Sequence, residues 1–363
     1  MRILFLGPAS SWHVTRWALR LREMGHEVTL ASMHRVPPEV AELAVPLVPR
    51  PTDGPTSPGT LLAAARQARK LVARLRPEVG LAYYVSSYGL VAALAGVRPW
   101  VGAAAGGDVL VDPFDPLPRR LLNRAVLAFA LRRCAGMLCW APHVAERLAT
   151  LGVPRDRILV QPRGVDLAEF RYRPPDTNPD RPLRIFSIRL FKPLYRVDTL
   201  AHALVDLGRR GVDFEARLAG WGPEKDRIEE IVREGGVAGR VSFPGRIPPA
   251  EVPRAMAAAD VYVSTSSTDG ASAALFEALA VGLFPVVSDI PANRAFLEEG
   301  RTGLFFPVGD ADTLADLLAR LAADREAIAR GVEAARELVR ERLDYDRNLA
   351  RIAAFVEEVA RRG

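Results

Sequence analysis

The amino-acid sequence predicts an α/β fold made of two doubly wound, Rossmann-like domains, each built on a parallel sheet. Short apolar runs alternate with longer helical patterns along almost the whole chain, as they do in repeated βαβ units. A proline-rich segment at residues 171–182 interrupts this alternation once. The 363 residues, 49% of them apolar, exceed what one ordinary core needs and suit two.

The first thirty residues contain the first βαβ unit. Ile3–Leu6 is an apolar run that ends in turn residues, and apolar positions then recur at helical spacing from Val14 to Met24. Gly25 ends this helix ahead of a second apolar run, Val28–Leu30. A strand, a helix and a strand in this order predict parallel pairing.

Further strands of the first domain alternate with Ala/Leu/Arg-rich helices such as Leu61–Leu75. The predicted strands are Val79–Tyr84, Pro99–Ala104, Gly136–Cys139 and Ile158–Val160. We therefore expect a first domain at residues 1–170.

The alternation restarts after the proline-rich segment and predicts a second domain at residues 183–344. Its elements, in order, are strand Leu183–Ile188, helix Val197–Gly208, strand Phe214–Ala219, helix Glu224–Arg233, strand Val241–Phe243, helix Ala250–Ala258, strand Val261–Ser264, helix Ala271–Val281, strand Pro285–Val287, and helical patterns from Asp312 to Leu321 and from Arg325 to Arg342. After a break at residues 343–346, we expect a last helix, at 345–363, to pack back on the first domain.

Composition restricts the functional classes. The net charge of +6 favours anionic partners, but the basic residues lack the aromatic interleaving of a nucleic-acid-binding module. Cys134 and Cys139 are too few for a disulfide framework and have no metal-ligand spacing. The N-terminal apolar run is too short for a secretory signal, and the stretch Leu81–Val97 is too short to span a bilayer. We expect a cytoplasmic protein that binds neither nucleic acid nor metal.

Two open parallel sheets that face each other predict a deep cleft at the carboxyl ends of their strands. The segment from Thr268 to Ala280 has one carboxylate, Asp269, before a predicted helix and another, Glu277, about two turns later. Small residues between them allow a diphosphate to approach the helix N-terminus, where free N–H groups favour negative charge. In isolation, the same pattern also fits a helix cap at Asp269 and a solitary polar residue at Glu277.

The chain resembles the family 4 retaining glycosyltransferases of GT-B fold, whose second domain carries two carboxylates separated by seven residues. Asp269 and Glu277 occupy these positions, with Asp in place of the usual first Glu. Other stretches match in register: Arg163–Asp166, Val197–Leu200, Ala219–Pro223, Phe243–Arg246, Ala258–Val261 and Thr302–Leu304. The resemblance covers essentially the whole chain.

The resemblance implies a nucleotide diphosphate sugar as donor substrate and no further cofactor. By analogy, Glu277 holds the ribose, Asp269 meets the transferred hexose, and the backbone from Gly270 through Ala271, Ser272 and Ala273 receives the distal phosphate. By the same resemblance, Gly220 and Arg246 are further donor-binding candidates.

A diphosphate leaving group requires cations when no metal motif is present. The loop after the first strand of the second domain supplies Arg189, Lys192 and Arg196, although Tyr195 stands where the family usually has Lys. These three cations are predicted to bind the donor, with Arg189 also catalytic beside Asp269. The alternative for each of them is a solvated loop residue.

In the first domain, Asp108 and His13 are the candidates for the acceptor side. Asp108 either takes a catalytic, acceptor-facing role or caps the turn at Val109–Val111, and Ala105 stands where many relatives have His. His13 follows the first strand and resembles an N-terminal variant of the family, or it packs beside Trp12 and Trp17.

The segment from Pro118 to Arg133 alternates basic and apolar residues. This pattern fits either an ordinary surface helix or peripheral contact with the inner face of a membrane, which would suit a lipid-linked acceptor. The sequence leaves the hydroxyl acceptor undefined.

The resemblance implies retaining transfer of a hexosyl group, driven mainly by stabilisation of the departing diphosphate. Two alternatives are a nucleotide-sugar-binding protein without transferase activity and a GT-B-fold nucleotide-sugar epimerase. A Rossmann oxidoreductase is disfavoured, because the first turn, Gly7–Ser11, lacks the spaced glycines of a dinucleotide site.

Overall fold

The computed structural model describes residues 1–48, 57–110 and 116–363. They form two compact units, of which the second comprises Arg163–Asp346 and the first comprises the preceding described residues together with Arg347–Gly363. The predicted boundary at residues 171–182 is displaced to Pro162–Arg163. The reason is that residues 163–170 attach to the second unit: the Val165 N–H donates to the Leu343 carbonyl at 2.7 Å, and Gly164, at φ +82°, lies against the backbone of Leu343 and Asp344.

The first unit contains a parallel sheet of seven described strands. They are β1 (Arg2–Leu6), β2 (Glu27–Ser32), β3 (Ala44–Pro46), β4 (Val79–Tyr83), β5 (Trp100–Ala104), β6 (Gly136–Cys139) and β7 (Ile158–Val160), in the spatial order β3-β2-β1-β4-β5-β6-β7. The helices of this part are α1 (Trp12–Glu23), α2 (Pro58–Leu75), α3 (Leu90–Ala95), α4 (Leu117–Leu131) and α5 (Pro142–Thr150). The central strands β4 and β5 are buried along their whole length, as expected of a sheet covered on both faces.

The second unit contains a parallel sheet of six strands. They are β8 (Leu183–Ile188), β9 (Phe214–Ala219), β10 (Val241–Gly245), β11 (Val261–Ser264), β12 (Phe284–Ser288) and β13 (Leu304–Phe306), in the order β10-β9-β8-β11-β12-β13. The accompanying helices are α6 (Val197–Arg209), α7 (Lys225–Glu234), α8 (Val252–Ala257), α9 (Ala273–Val281), α10 (Pro291–Arg294), α11 (Ala311–Ala323) and α12 (Arg325–Arg342). Two doubly wound parallel sheets are thus confirmed.

The last helix, α13 (Tyr345–Arg362), packs on the sheet of the first unit. A Cβ atom at Gly136 of β6 would lie 2.9 Å from Val359 and 3.0 Å from Phe355, so the helix approaches the strand closely where the strand has no side chain. Nε2 of His26 also lies 3.6 Å from the Glu357 carboxylate. Among the helices described, none combines the length and the apolar character needed to cross a bilayer.

Candidate functional site

The strand order of the second unit places two loops beside each other at the carboxyl edge of its sheet. β8 and β11 are neighbours, and the chain leaves β8 toward β9 and leaves β11 toward β12, on opposite sides. Ligands of open parallel sheets bind where the strand order reverses in this way. The loops that follow Ile188 and Ser264 carry Arg189 and Asp269.

Arg189 lies at the centre of this edge, with its side chain only 12% exposed. Its Nε and Nη2 donate to Oγ of Ser264 at 3.2 and 3.1 Å, and Nη2 also donates to Oγ of Ser272 at 2.5 Å. Nη2 is 3.1 Å from Oδ2 of Asp269. Nη1 takes part in none of these contacts. The guanidinium is therefore held on one side by the end of β11, by the Asp269 loop and by the cap of α9.

Asp269 forms an ion pair with Arg189 and stabilises its own loop. Its Oδ1 accepts the Gly270 N–H at 2.8 Å, and the side chain is 17% exposed. It does not cap the helix, which begins at Ala273 and not at the predicted Ala271. The cap is Ser272, whose Oγ accepts the Leu275 N–H at 3.2 Å.

The N-terminus of α9 presents donors beside Arg189. Its first intrahelical bond runs from the Phe276 N–H to the Ser272 carbonyl, at 3.3 Å. The N–H groups of Ala273 and Ala274 precede that bond and have no intrahelical acceptor. They lie at the positive end of the helix dipole, next to the Arg189 cation. This combination of a fixed guanidinium and helix amides favours a phosphate or carboxylate group.

Glu277 is the fifth residue of α9 and is partly buried. Gly270 and Ala271 are buried ahead of the helix, and Ala273 and Ala274 are partly exposed at its start. The structure therefore brings Arg189, Asp269 and Ser272 into contact and places Glu277 further along the same helix.

Gly220 orients the Arg189 loop by letting two backbone segments touch. Its φ of +154° suits glycine, and a Cβ atom there would lie 1.8 Å from the Arg189 carbonyl oxygen. The Arg189 N–H donates to Ala219 O at 3.0 Å, and the Phe191 N–H donates to Trp221 O at 2.9 Å. Gly220 thus acts on the site through the backbone of Arg189.

Trp221 and Arg246 form an exposed pair at the carboxyl ends of β9 and β10. The Trp221 side chain is 50% exposed, and the Arg246 guanidinium lies 5.2 Å from the ring centroid. Sequence reasoning singled out Arg246 but not Trp221. The sequence does contain a signal for Trp221: it is a large aromatic residue between two glycines, and such a residue in a tight turn has little protein to pack against.

The other two predicted cations lie elsewhere in the loop. Lys192 is exposed, and Arg196 has φ +44° with its guanidinium against Gly309 in the loop after β13. Nε of Arg196 is buried and donates to no acceptor among the described residues. Tyr195, in the slot of the usual Lys, places its ring centroid 5.6 Å from the Arg189 guanidinium. Only Arg189 of the three contacts the Asp269 and Ser272 side chains.

Sequence reasoning missed a buried polar network beneath the site. Oγ of Ser264 is 3.3 Å from Oγ of Ser266, whose carbonyl accepts the Ser288 hydroxyl at 2.6 Å. Asn293 then donates to the Ser288 carbonyl at 2.8 Å. These residues come from the end of β11 and the loop after it, from β12 and from α10, so no local pattern in the sequence connects them.

In the first unit, Asp108 joins two loops. Its carboxylate accepts N–H groups of Val85 at 2.7 Å and of Ala105 and Gly106 at 3.0 Å. Burial raises the pKa of Asp108 to about 6, against the opposing effect of these hydrogen bonds. The predicted cap on the Val109–Val111 turn is replaced by this anchoring role, and residue 111 lies outside the described part of the chain. An acceptor-side role for Asp108 stays a prediction.

His13 lies in the first turn of α1, partly buried, between an exposed Trp12 and a buried Trp17. Its acceptor-side role stays a prediction. The structure also shows a polar pair that the sequence did not indicate. His34 follows β2, and its Nδ1 is 2.7 Å from the Tyr88 hydroxyl. Tyr88 belongs to a π-helical turn at Val85–Gly89, a feature frequent at functional sites.

Comparison with known proteins assigns both halves of the chain. Residues 10–169 match the family model described as Glycosyltransferase Family 4, and residues 169–338 match the model described as Glycosyl transferases group 1. Together they account for residues 10–338.

Two curated relatives differ in their sequence identity to this chain and in the share of it that they match. The putative colanic acid biosynthesis glycosyltransferase WcaL of Escherichia coli K12 is 34% identical over 203 residues, which cover 54% of this chain and 50% of the relative. The phosphatidyl-myo-inositol mannosyltransferase of Mycolicibacterium smegmatis is 29% identical over 97% of this chain and 90% of its own length. The chain spans about half the length of the first curated relatives that it matches.

Solved structures agree on the fold. Sucrose-phosphate synthase from Thermosynechococcus elongatus has a TM-score of 0.85 at 17% identity, with both chains covered completely. Anabaena HepE in complex with UDP and glucose has a TM-score of 0.79 at 18% identity and covers 99% of this chain and 100% of its own. With both halves matched by their models and both doubly wound units present, the chain belongs to the family 4 glycosyltransferases of GT-B fold.

Proposed function

We propose that this protein is a retaining glycosyltransferase that moves a hexosyl group from a nucleotide diphosphate sugar to a hydroxyl of its acceptor without a metal ion. One observation carries the proposal: Arg189 is fixed between Asp269 and Ser272, directly beside the N-terminus of α9. The guanidinium and the amides of Ala273 and Ala274 form a site for a diphosphate.

The site suits stabilisation of a leaving group. As the bond between the anomeric carbon and the phosphate oxygen breaks, its electron pair passes to the diphosphate, and the new charge develops beside Arg189. Because that side chain is only 12% exposed, its attraction for the diphosphate is weakly screened by water. The acceptor hydroxyl attacks the same face of the sugar, and its proton goes to the departing phosphate oxygen. This route needs no strong enzymic base.

Asp269 and Glu277 then bind neutral groups. The Asp269 carboxylate, partly exposed and already anchored by Arg189 and Gly270, retains lone pairs for a hydroxyl of the transferred hexose. Glu277, two turns further on, suits the ribose hydroxyls by resemblance to the family. Neither role requires these carboxylates to contact the diphosphate, which they would repel.

The exposed Trp221 ring with Arg246 above it is our candidate for the nucleobase. A base stacks on an indole whatever its identity, so this pair does not select among nucleotides. Names of similar proteins suggest the first donors to test. HepE was solved with UDP-glucose, and a mannosyltransferase of Mycobacterium tuberculosis that is 28% identical is described as GDP-mannose-dependent.

The test is a panel of UDP-, GDP- and ADP-sugars, each with and without EDTA. Thermal shift and sugar release are measured for the wild type, Glu277→Ala and the matched control Glu234→Ala, which removes an exposed carboxylate at the end of α7. We expect one nucleotide class to raise Tm and release sugar in EDTA, with both responses lost only in Glu277→Ala. No response to any donor would refute the transferase.

Two further outcomes decide between the alternatives. Binding without sugar release, even with candidate acceptors, would leave a nucleotide-sugar-binding protein, whereas conversion of the donor to its epimer would identify an epimerase. The anomeric configuration of the first product, read by proton NMR, tests retention directly: an inverted anomer would refute the mechanism and leave the donor site intact.

A further inference from the structure

The second unit contains an open cavity of about 180 Å³ that the donor edge does not share. It lies between the end of α9, the C-terminal half of α12 and the segment that precedes β8. An apolar cavity of about 150 Å³ holds one benzene ring, so this one has room for a ring with a small substituent. Six apolar or aromatic residues line it: Leu167, Phe170, Tyr172, Leu279, Ala280 and Val339.

The walls of this cavity are fixed by contacts within the second unit. The Arg173 N–H donates to the Val281 carbonyl at 2.8 Å, which ties the segment before β8 to the end of α9. A Cβ atom at Gly282 would lie 3.2 Å from Cε2 of Tyr172, so the tyrosine ring packs closely on the backbone. Phe170 is buried. The cavity is therefore preformed, and a ligand that enters it has few side chains to order.

Two arginines of α12 are the charged residues among the described residues that line the cavity. Arg336 is already compensated, because its Nη1 donates to the Glu333 carboxylate at 3.1 and 3.2 Å. Its guanidinium also lies 4.2 Å from the centroid of the Tyr172 ring. Arg340 is exposed and forms no hydrogen bond or ion pair with any residue in the described ranges. The cavity thus combines an apolar lining with one uncompensated cation.

We propose that this cavity binds a small aromatic carboxylate, with the ring inside and the carboxylate at Arg340. Apolar walls that include Phe170 and Tyr172 favour an aromatic ring, since aromatic rings attract each other edge to face. A guanidinium with free N–H groups donates two parallel hydrogen bonds to a carboxylate. An anion without an apolar group would leave the walls in water, and a neutral ring would leave the Arg340 cation without a partner.

The cavity and the donor edge lie at different positions along α9. Ala273 stands beside Arg189, and Ala280 lines the cavity seven residues later. Seven residues correspond to about 10 Å along a helix, so one benzoate does not reach both. The inference does not use the proposed transferase activity. Its failure and that of the transferase are separate results, because binding is measured without donor or acceptor.

The apolar part of the site is tested by ligand-observed NMR titration of the full chain with benzoate and with acetate. We expect benzoate to bind and acetate, which has no ring, to bind too weakly to measure. Leu167→Asp places a carboxylate in the partly exposed wall and should abolish benzoate binding. The control Leu62→Asp, at an exposed leucine of α2 in the first unit, should retain it. Circular dichroism verifies that each variant is folded.

The cation is tested with benzyl alcohol, which carries the same ring without the charge. An exposed ion pair strengthens binding by up to about fivefold, so benzoate should bind about two- to fivefold more tightly than benzyl alcohol. Arg340→Gln should remove this preference and leave the affinity for benzyl alcohol unchanged. The control Arg254→Gln, at an exposed arginine of α8, should preserve the preference.

Several outcomes overturn the proposal. They are no binding of benzoate, acetate binding as tight as benzoate binding, benzoate binding that Leu167→Asp leaves unaltered, and a preference for benzoate that survives Arg340→Gln. The Arg189 site also favours carboxylates, so the benzoate titration is repeated with excess UDP, GDP or ADP. Affinity for benzoate should stay the same, and displacement by a nucleotide would place the carboxylate at the donor edge and refute the second site. If no nucleotide binds, the Leu167→Asp result alone decides.

Discussion

Replacing Ser272 by Ala removes one hydroxyl that makes two contacts. Oγ accepts the Leu275 N–H at 3.2 Å as the cap of α9 and accepts Nη2 of Arg189 at 2.5 Å. Loss of a serine cap costs about 1 kcal/mol, and loss of a hydrogen bond to a charged group adds about 1.5–3 kcal/mol. Because Arg189 keeps Ser264 and Asp269, the lower end applies. We expect the free energy of unfolding to fall by about 2.5 kcal/mol.

Ser57→Ala is the matched control, because Ser57 caps α2 by accepting the Thr60 N–H at the same 3.2 Å. Its other contact is the exposed Thr60 hydroxyl and not a buried cation. We expect it to cost about 1 kcal/mol. In calorimetry, a unit of this size loses about 2–4 °C in Tm per kcal/mol, so Ser272→Ala should lower the Tm by about 5–10 °C and Ser57→Ala by about 2–4 °C. Equal shifts would show that the Arg189 contact contributes nothing to stability and would refute the rigid placement of the cation.

Three further predictions concern other parts of the chain. Gly220→Ala should displace the Arg189 backbone and abolish the donor-induced thermal shift, because its Cβ would lie 1.8 Å from the Arg189 carbonyl oxygen. The control Gly239→Ala, with open space around it, should bind the donor normally, and equal behaviour of the two variants would refute the packing argument. Trp221→Ala should weaken binding of the free nucleoside diphosphate by about 5- to 100-fold in calorimetry, from the usual contribution of base stacking, and unchanged affinity would place the base elsewhere. Because burial raises the folded pKa of Asp108 to about 6, above its unfolded value, deprotonation costs stability as the pH rises from about 4 to 6. The difference between wild type and Asp108→Asn in urea should change by up to about 3 kcal/mol over that window, and a constant difference would contradict the raised pKa.

The alternation of apolar runs and helical patterns predicted most of the fold, because parallel strands that are buried on both faces have nearly continuous apolar sequences. Two three-residue strands escaped this reasoning, β3 and β13. They are too short to show a period, and they lie at the edges of their sheets, where pairing with one neighbour decides the conformation. The domain boundary was misplaced for a related reason. Proline marks where regular structure stops, but residues 163–170 belong to the second unit through a distant partner, Leu343.

At the site, the sequence identified Arg189, Asp269, Ser272 and Glu277 from the family pattern, and in the structure Arg189 contacts both Asp269 and Ser272. It predicted that Arg189, Lys192 and Arg196 all bind the donor, since a loop pattern does not state in which direction each side chain leaves the backbone. The backbone contact at Gly220 directs Arg189 toward α9, and a positive φ turns Arg196 toward Gly309.

By itself, then, the sequence determined the fold class, the order of the elements, the family and the loop that carries the candidate chemistry, because these depend on local periodicity and on motifs contiguous in the chain. Only the tertiary structure decided which cation contacts Asp269, that Ser272 and not Asp269 caps α9, that Asp108 joins two loops, and that the leucines in the first half of α4 stay exposed. Each of these features depends on contacts between residues far apart in the chain, or on the lack of a helix or strand that would cover a surface. Local sequence patterns predict neither.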